Sequence, residues 1–409
     1  MDLRPTAKED RKLTQGDFFF LWAGAAISIM EIFSGALLAP LGLAAGIGII
    51  LIGHIIGNTP LALSCRPGQE KGITSMLSVR FSFGVRGSYF FAILNIIQLI
   101  GWMAVMQIVA ADAIDTITQS VFSFSSRELW IVIIGMLTTL WAMGGQKAWK
   151  VLNTVSITLL IIFTVIITYR VFTSFPPVST PEGTLSLGIA LDLVIAMPIS
   201  WLPLASDYSR FAKRGSMFGT WVGYFVFSSW MYFIGLISAL GTGETFPTKA
   251  MLVLGLGLPA MLVVALSTIT SDYMDVYSAA ASWLNIREKA NSNVVMAIAG
   301  FVGIAVSLVF PIDQYQNFLL FIGSLFCPLF AIVITDYLKN GKEYDVEAAI
   351  SGKKYRYLNG FNPGALFSWA AGVITFWVAG PYVGGSIPSM VVSALLFLLF
   401  KHFARFNKP

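Results

Sequence analysis

Apolar runs of roughly twenty residues, separated by short polar breaks, repeat along almost the whole chain. A helix must keep about this length to cross a hydrocarbon core of ~30 Å. Twelve such runs are predicted, over 17–43, 44–65, 86–115, 127–147, 150–174, 186–211, 214–242, 250–284, 293–311, 314–338, 363–382 and 386–405. No gap is wide enough for a further domain. The longest polar interruption, 339–362, divides a core of residues 1–338 from two last spans in 363–409. The expected class is therefore an all-α polytopic membrane protein. Because Met1 to Gln15 is polar, no cleavable leader is expected ahead of the first run.

Composition sharpens this picture. Of the 409 residues, 56% are hydrophobic and 11% charged, which excludes an ordinary soluble enzyme with its ~25% charged residues. It also excludes a disordered chain. The net charge of +5 raises nucleic acid as a partner. The positions of the basic residues remove it. With the N-terminus on one side, 23 of the 26 lysines and arginines fall on that side, and only Arg127, Arg170 and Lys249 on the other. Such an asymmetry is the positive-inside pattern. It places both termini in the cytoplasm, and the short loops suit a bacterial inner membrane. Cys65 and Cys327 are too isolated for a disulfide framework or a zinc site.

Ionisable groups inside a span cost ~2.5–3.5 kcal/mol or more and therefore mark function. Glu31, Asp112, Asp192, Asp272 and Asp275 lie within the predicted runs, with no lysine or arginine in the middle of any span. A proton, a solvated cavity, a bound cation or a ligand donor is then expected to balance them. For Asp112 a position near the interface is the competing reading. Helix breakers cluster in the same region: Pro198 and Pro203 in the sixth span, and Gly24, Ser28, Ser34 and Gly35 around Glu31 in the first. Interrupted helices at matching positions of two halves point to a transporter's binding site. The simpler alternative is a proline kink and packing glycines.

Two faces carry candidate chemistry. Asn95, Gln98, Trp102 and Met106 recur on one stripe of the third span, which suits a flat heteroaromatic ring held by stacking and by in-plane amide bonds. In the eighth span Ser267, Thr270, Ser271, Met274 and Asp275 share an arc of about 140°. A stripe of hydroxyls beside a carboxylate is chemically suited to sodium, a hard cation that prefers oxygen. Ser and Thr bonding back to their own helix is the alternative. An intramembrane enzyme is disfavoured. His54 and His402 are the only histidines, and neither HExxH nor a Walker A sequence occurs. His54, near Asn58, reads as a hydrogen-bonding residue inside the bundle. A channel would have no need of a stacking tryptophan flanked by amides.

Several strings carry a family likeness. Arg80-Phe81-Ser82-Phe83-Gly84-Val85-Arg86-Gly87-Ser88 and Gly101-Trp102 resemble the nucleobase–cation symporters of cytosine, allantoin and hydantoin permease type. So do Ser206-Asp207-Tyr208-Ser209-Arg210-Phe211 and Asp336-Tyr337-Leu338. Within that family, the stretch Ala196–Leu204 and Glu31 with Leu37–Gly42 look most like the hydroxymethylpyrimidine (thiamin-precursor) permeases. The resemblance implies a LeuT-like fold, with spans 1–5 and 6–10 as inverted repeats, and sodium-coupled uptake by alternating access. It assigns sodium to the carbonyls of Gly24 and Ile27 with Ser267, Thr270 and Ser271. It sets the substrate between Trp102 and a break at Met197-Pro198, within reach of Ser28, Glu31, Asn95, Gln98 and Asp275. Sodium is then the coupling ion, no cofactor is expected, and the protein acts as a monomer in the bilayer. Cytosine permeases carry their glutamine where this chain has Leu99, a second aromatic where it has Pro198, and an asparagine where it has Ser267. These departures argue against plain cytosine as substrate. Proton coupling through Glu31 or Asp275 is the competing mode.

Overall fold

A computed structural model describes residues 3–144, most of 158–173, 184–246, 249 and 257–406. Helices account for nearly all of them. In chain order they are α1 (Gln15–Ala26), α2 (Ile29–Ala36), α3 (Leu43–Ser64), α4 (Arg66–Lys71), α5 (Ser75–Phe83), α6 (Val85–Phe122) and α7 (Arg127–Met143). After the described part of the expected fifth span come α8 (Leu187–Ser200), α9 (Leu202–Ser209), α10 (Ser216–Thr242), α11 (Gly257–Ile286) and α12 (Ser292–Ser307). The last four are α13 (Tyr315–Asn340), α14 (Val346–Ile350), α15 (Pro363–Val383) and α16 (Ser386–Phe406). Among the described residues, six stretches are individually long and apolar enough to cross a membrane, and α1 with the stretch Ile29–Leu41 makes a seventh, bent by 56°.

Helices α1, α2, α3, α8 and α10 pack into one cluster, and α6, α7, α11 and α12 into another, with α13, α15 and α16 alongside. Backbones touch where glycine permits it. A β-carbon on Gly235 of α10 would lie 1.9 Å from the carbonyl oxygen of Ile32 in α2. That contact is possible only without a side chain.

The described loops assigned to one side of the membrane gather at one end of the bundle; the loop around Lys147 and Lys150 lies outside the described residues. Thr6 and Arg11 bond to Gly72 and Gln69, Leu13 bridges to Ala212, and Gln69 reaches Ser216. At the same end, buried Arg80 donates to the side chain and backbone of Asn285 (2.9 and 2.6 Å) and to the carbonyl of Ala349. Asp336 accepts from Ser82 and Asn340 and pairs with Lys401. Asp207 accepts from the amide of Ser75 at the start of α5. Gly84 joins α5 to α6 at φ 86°, with the backbone of Gly360 so near that a β-carbon would stand 2.5 Å from its carbonyl oxygen. The strings around Arg80, Asp207 and Asp336 thus supply interhelical clasps at one end of the fold.

Two expectations need correction, and for Asp112 the structure favours the reading near the interface. Asp192 has no cation to balance, because its two oxygens accept from the amides of Gly385 and Ser386 (2.6 and 2.8 Å) and so cap the N-terminus of α16. Asp112 lies at the outer part of α6, half-exposed and paired with Arg127 at 2.6 Å. The sixth span does not open at Met197-Pro198. Pro198 sits inside α8, its ring seated in the notch left by Gly57, where a β-carbon would stand 2.4 Å from the ring. The interruption falls instead at Trp201, whose own φ,ψ (−87°, −11°) stay in the right-handed helical region, so the span runs on from 187 to 209. Pro203 occupies the first turn of α9, where its missing N–H breaks no bond.

Candidate functional site

The break in the first span has a specific backbone chemistry. Thr14 and Asp17 form a capping box that starts α1, and the helix runs to Ala26. At Ile27 the chain leaves helical geometry (ψ 76°), and Ser28 is extended, its hydroxyl accepting from the amide of Met30 to cap α2. In a continuous helix the amide of Ser28 would donate to Gly24 and that of Glu31 to Ile27. Here Ser28 donates to the carbonyl of Ala26 (2.9 Å) and Glu31 to that of Ser28 (3.2 Å). The carbonyls of Gly24 and Ile27 are thereby released from those intrahelical bonds.

Glu31, in the first turn of α2, is 1% exposed. Its Oε1 accepts from the Tyr224 hydroxyl at 2.5 Å and its Oε2 lies in hydrogen-bond contact with the Ser228 hydroxyl at 2.8 Å, both on α10. Tyr224 in turn accepts from the indole of Trp201 (3.0 Å). Ser228 lies 2.5 Å from His54 Nε2, and His54 Nδ1 lies 2.8 Å from the carbonyl of Ile50. Glu31 is therefore held from the α10 side, and these partners went unrecognised in the sequence. Tyr224, Ser228 and Tyr232 do recur at i, i+4 and i+8, a polar stripe in an otherwise apolar run that signals them.

The third-span stripe points inward. Asn95, Gln98, Trp102 and Met106 are all buried. Asn95 donates to Ser282 of α11, and Gln98 donates to Asn95 (2.9 Å) and to the carbonyl of Ser200 at the end of α8 (2.9 Å). Higher on the same helix pair, Gln107 donates to Asp272 and accepts from Ser307. Between these two rungs three buried polar atoms lack a partner among the described residues: Gln98 Oε1, Trp102 Nε1 and Asp275 Oδ2. Two are acceptors and one a donor. Trp102 presents itself to the edges of Tyr315 and Phe318, at centroid distances of 6.1 and 5.4 Å.

Tyr315, at the start of α13, ties the parts together. Its ring stacks on Phe33 of α2 (5.0 Å, 12°), and its hydroxyl lies 2.8 Å from Ser34 and 3.6 Å from the sulfur of Met197. Met197 thus meets the Trp102 region through Tyr315, whereas Pro198 turns towards α3. On α11, Ser267 and Ser271 are buried one turn apart, and the hydroxyl of Ser271 has no described partner. Helix α11 packs against both α1 and α2. The side chain of Thr270 lies outside the described residues.

A helical membrane bundle whose first span parts in the middle, with unpartnered polar atoms buried around the gap, is the architecture of a solute carrier. The comparisons agree. The family described as permease for cytosine/purines, uracil, thiamine, allantoin matches residues 5–398, and the chain belongs to it. It is a permease and not an enzyme. The cytosine permease of Escherichia coli (strain K12) is 25% identical over 360 residues, covering 85% of this chain and 83% of that one. Among solved structures, the nucleobase-cation-symport-1 family transporter Mhp1, closed with bromovinylhydantoin bound, superposes with a TM-score of 0.90 at 19% identity, over 100% of this chain and 96% of that chain. A Na+-coupled sialic acid symporter follows at 0.67 and 12% identity, over 98% and 92%. The fold is that of Mhp1.

Proposed function

We propose that the protein is a secondary active transporter that carries a small nucleobase-like heterocycle into the cell together with sodium. An aminopyrimidine such as hydroxymethylpyrimidine is the assigned substrate. The carrying observation is the break at Ile27–Ser28, which frees the carbonyls of Gly24 and Ile27 between two helices that both pack on α11. Two carbonyls with the hydroxyls of Ser267, Thr270 and Ser271 make an all-oxygen set suited to sodium. Ser271 supports the fit, since its buried hydroxyl has no described partner. The likeness to a Na+-coupled symporter supports it from outside the chain.

The ligand would lie along α6, its ring against Trp102 and its polar edge towards Gln98 Oε1 and Asp275 Oδ2. Those two acceptors call for N–H donors, and the indole N–H calls for a ring nitrogen or carbonyl; an aminopyrimidine carries donors and an acceptor on one flat ring. Glu31 has lone pairs left after its two bonds from α10, and with Ser28 it borders the same gap. Asn95 and Met197 are placed behind, through Gln98 and Tyr315. Twelve spans, spans 1–5 and 6–10 as inverted repeats, a monomer and a bacterial inner membrane with cytoplasmic termini complete the proposal.

The test is thermal unfolding of the purified protein with pyrimidines, purines and hydantoins, each in sodium and in potassium. A ligand and its coupling ion stabilise the folded state by mass action. Hydroxymethylpyrimidine should raise the melting temperature most, and more in sodium than in potassium. Equal shifts in both salts would remove sodium, and a larger shift with another heterocycle would remove the substrate.

A further inference from the structure

The chain His54–Ser228–Glu31 contains one more hydrogen bond than its serine alone can supply. The carbonyl of Ile50 only accepts, so His54 Nδ1, at 2.8 Å, must carry a hydrogen. Two links remain, Nε2 to Oγ (2.5 Å) and Oγ to Oε2 (2.8 Å), and they need two hydrogens. Ser228 provides one. The other sits either on Glu31, leaving His54 neutral, or on His54 Nε2, leaving Glu31 a carboxylate. In both forms the trio holds one extra proton and has no net charge. Losing it would leave a buried charge and a buried acceptor without its bond, a costly combination in an apolar interior.

We propose that this trio is a one-proton relay, and that ligand docking at Glu31 drives the proton inward to His54. The inference rests on the substrate reading above. Without ligand the proton stays on Glu31, the arrangement that separates no charge. A ligand amino group needs an acceptor there. The O–H bond at Oε2 then breaks as its proton joins Ser228 Oγ, and the serine's own proton passes to His54 Nε2. Glu31 becomes the carboxylate that receives the amine, His54 becomes an imidazolium, and nothing is lost to solvent. The positioning suits this. Glu31 and Ser228 sit on helices locked backbone to backbone, at Gly35 and Gly235, while His54 belongs to α3. Among the described residues, the other titratable side chains facing the trio are Tyr224 and Tyr232 of α10 and Tyr315 of α13; Trp22 of α1 and Trp201, between α8 and α9, pack on Tyr224.

Two measurements on the full-length protein test it. Infrared difference spectra without ligand, wild type against Glu31→Gln, should show loss of one protonated carboxyl band at pH 7; no lost band would overturn the resting place of the proton on Glu31 and with it the inward transfer. Next, binding of hydroxymethylpyrimidine is followed from about pH 6 to pH 8 in wild type, Ser228→Ala and Ser228→Thr. With the relay cut, Glu31 must give its proton to solvent, so binding to Ser228→Ala should tighten by about tenfold per pH unit relative to wild type. This comparison cancels the ligand's own titration. Ser228→Thr should behave like wild type, and parallel profiles for Ser228→Ala and wild type would overturn the transfer. If the compound binds none of them, the substrate assignment and the transfer built on it fall together, while the infrared result still decides where the proton rests.

Discussion

Gly35 and Tyr232 meet main chain to main chain: a β-carbon on Gly35 would lie 2.1 Å from the carbonyl oxygen of Tyr232. One turn of α2 away, Glu31 uses the same interface to reach Tyr224 and Ser228. The close approach is what lets a short serine hydroxyl bridge two helices. Gly35→Ala should therefore act twice. Overpacking of this kind costs ~1–3 kcal/mol, and pushing α10 outward also stretches both bonds to Glu31. Thermal unfolding should show a lower melting temperature, and ligand binding should weaken in the protein that remains folded. Unchanged values in both assays would mean that the two helices separate without consequence.

Trp102 is the proposed stacking surface, buried and with an indole N–H that meets no partner among the described residues. Trp102→Phe keeps a ring but removes that donor, and Trp102→Ala removes both. Aromatic pairing is worth ~0.5–1.5 kcal/mol beyond burial, and a donor facing a buried acceptor ~1 kcal/mol more. Affinity should fall by about fivefold to tenfold for the first variant and by more for the second, as read by isothermal titration. Equal affinities for all three would place the ligand elsewhere.

Sodium linkage should report on α11. Ser271→Ala deletes one buried oxygen and leaves the backbone carbonyls of Gly24 and Ile27 in place. The extra melting temperature gained in sodium over potassium should shrink by at least half, while the melting temperature in potassium stays within a few degrees. A full sodium response in Ser271→Ala would show that this hydroxyl is no ligand.

How much of this was readable beforehand depended on range along the chain. The opening in the first span was legible because Gly24, Ser28 and Gly35, around Glu31, contradict an apolar helix locally, within a dozen residues. The sixth span misled because two prolines look alike in sequence but differ in setting: Pro203 falls in a first helical turn, and Pro198 relies on a glycine in another helix, Gly57. The carboxylates show the same division. Arg127 follows Asp112 by fifteen positions and could be paired with it by eye, but the amides that satisfy Asp192 lie 193 and 194 residues away. Glu31 found its partners 193 and 197 positions on, and only the Tyr224–Ser228–Tyr232 spacing hinted at them. One strand of text carries no record of such encounters.

Asp192 supplies the sharpest contrast between a buried acid that supports the fold and one proposed to face the ligand. Its oxygens take the amides of Gly385 and Ser386, the first donors of α16, in a setting shared with neither Trp102 nor the first-span break. Asp192→Ala strips a helix of its cap, which usually costs ~0.5–2 kcal/mol, and here leaves two buried N–H groups unmet. The melting temperature should drop, with ligand affinity and sodium response in the folded fraction preserved. Asp192→Asn keeps one acceptor oxygen and should fall between. Asp275→Asn should do the reverse, because Asp275 Oδ2 bonds nothing in the described protein: replacing that oxygen relieves a buried acidic group, so stability should hold or rise while affinity for an amino-bearing ring declines. Measured side by side in one thermal and binding series, Asp192→Ala should lower stability and spare affinity, and Asp275→Asn should spare stability and lower affinity. If Asp192→Ala abolished sodium linkage while leaving stability intact, the capping role drawn from its two short amide bonds would have to be given up.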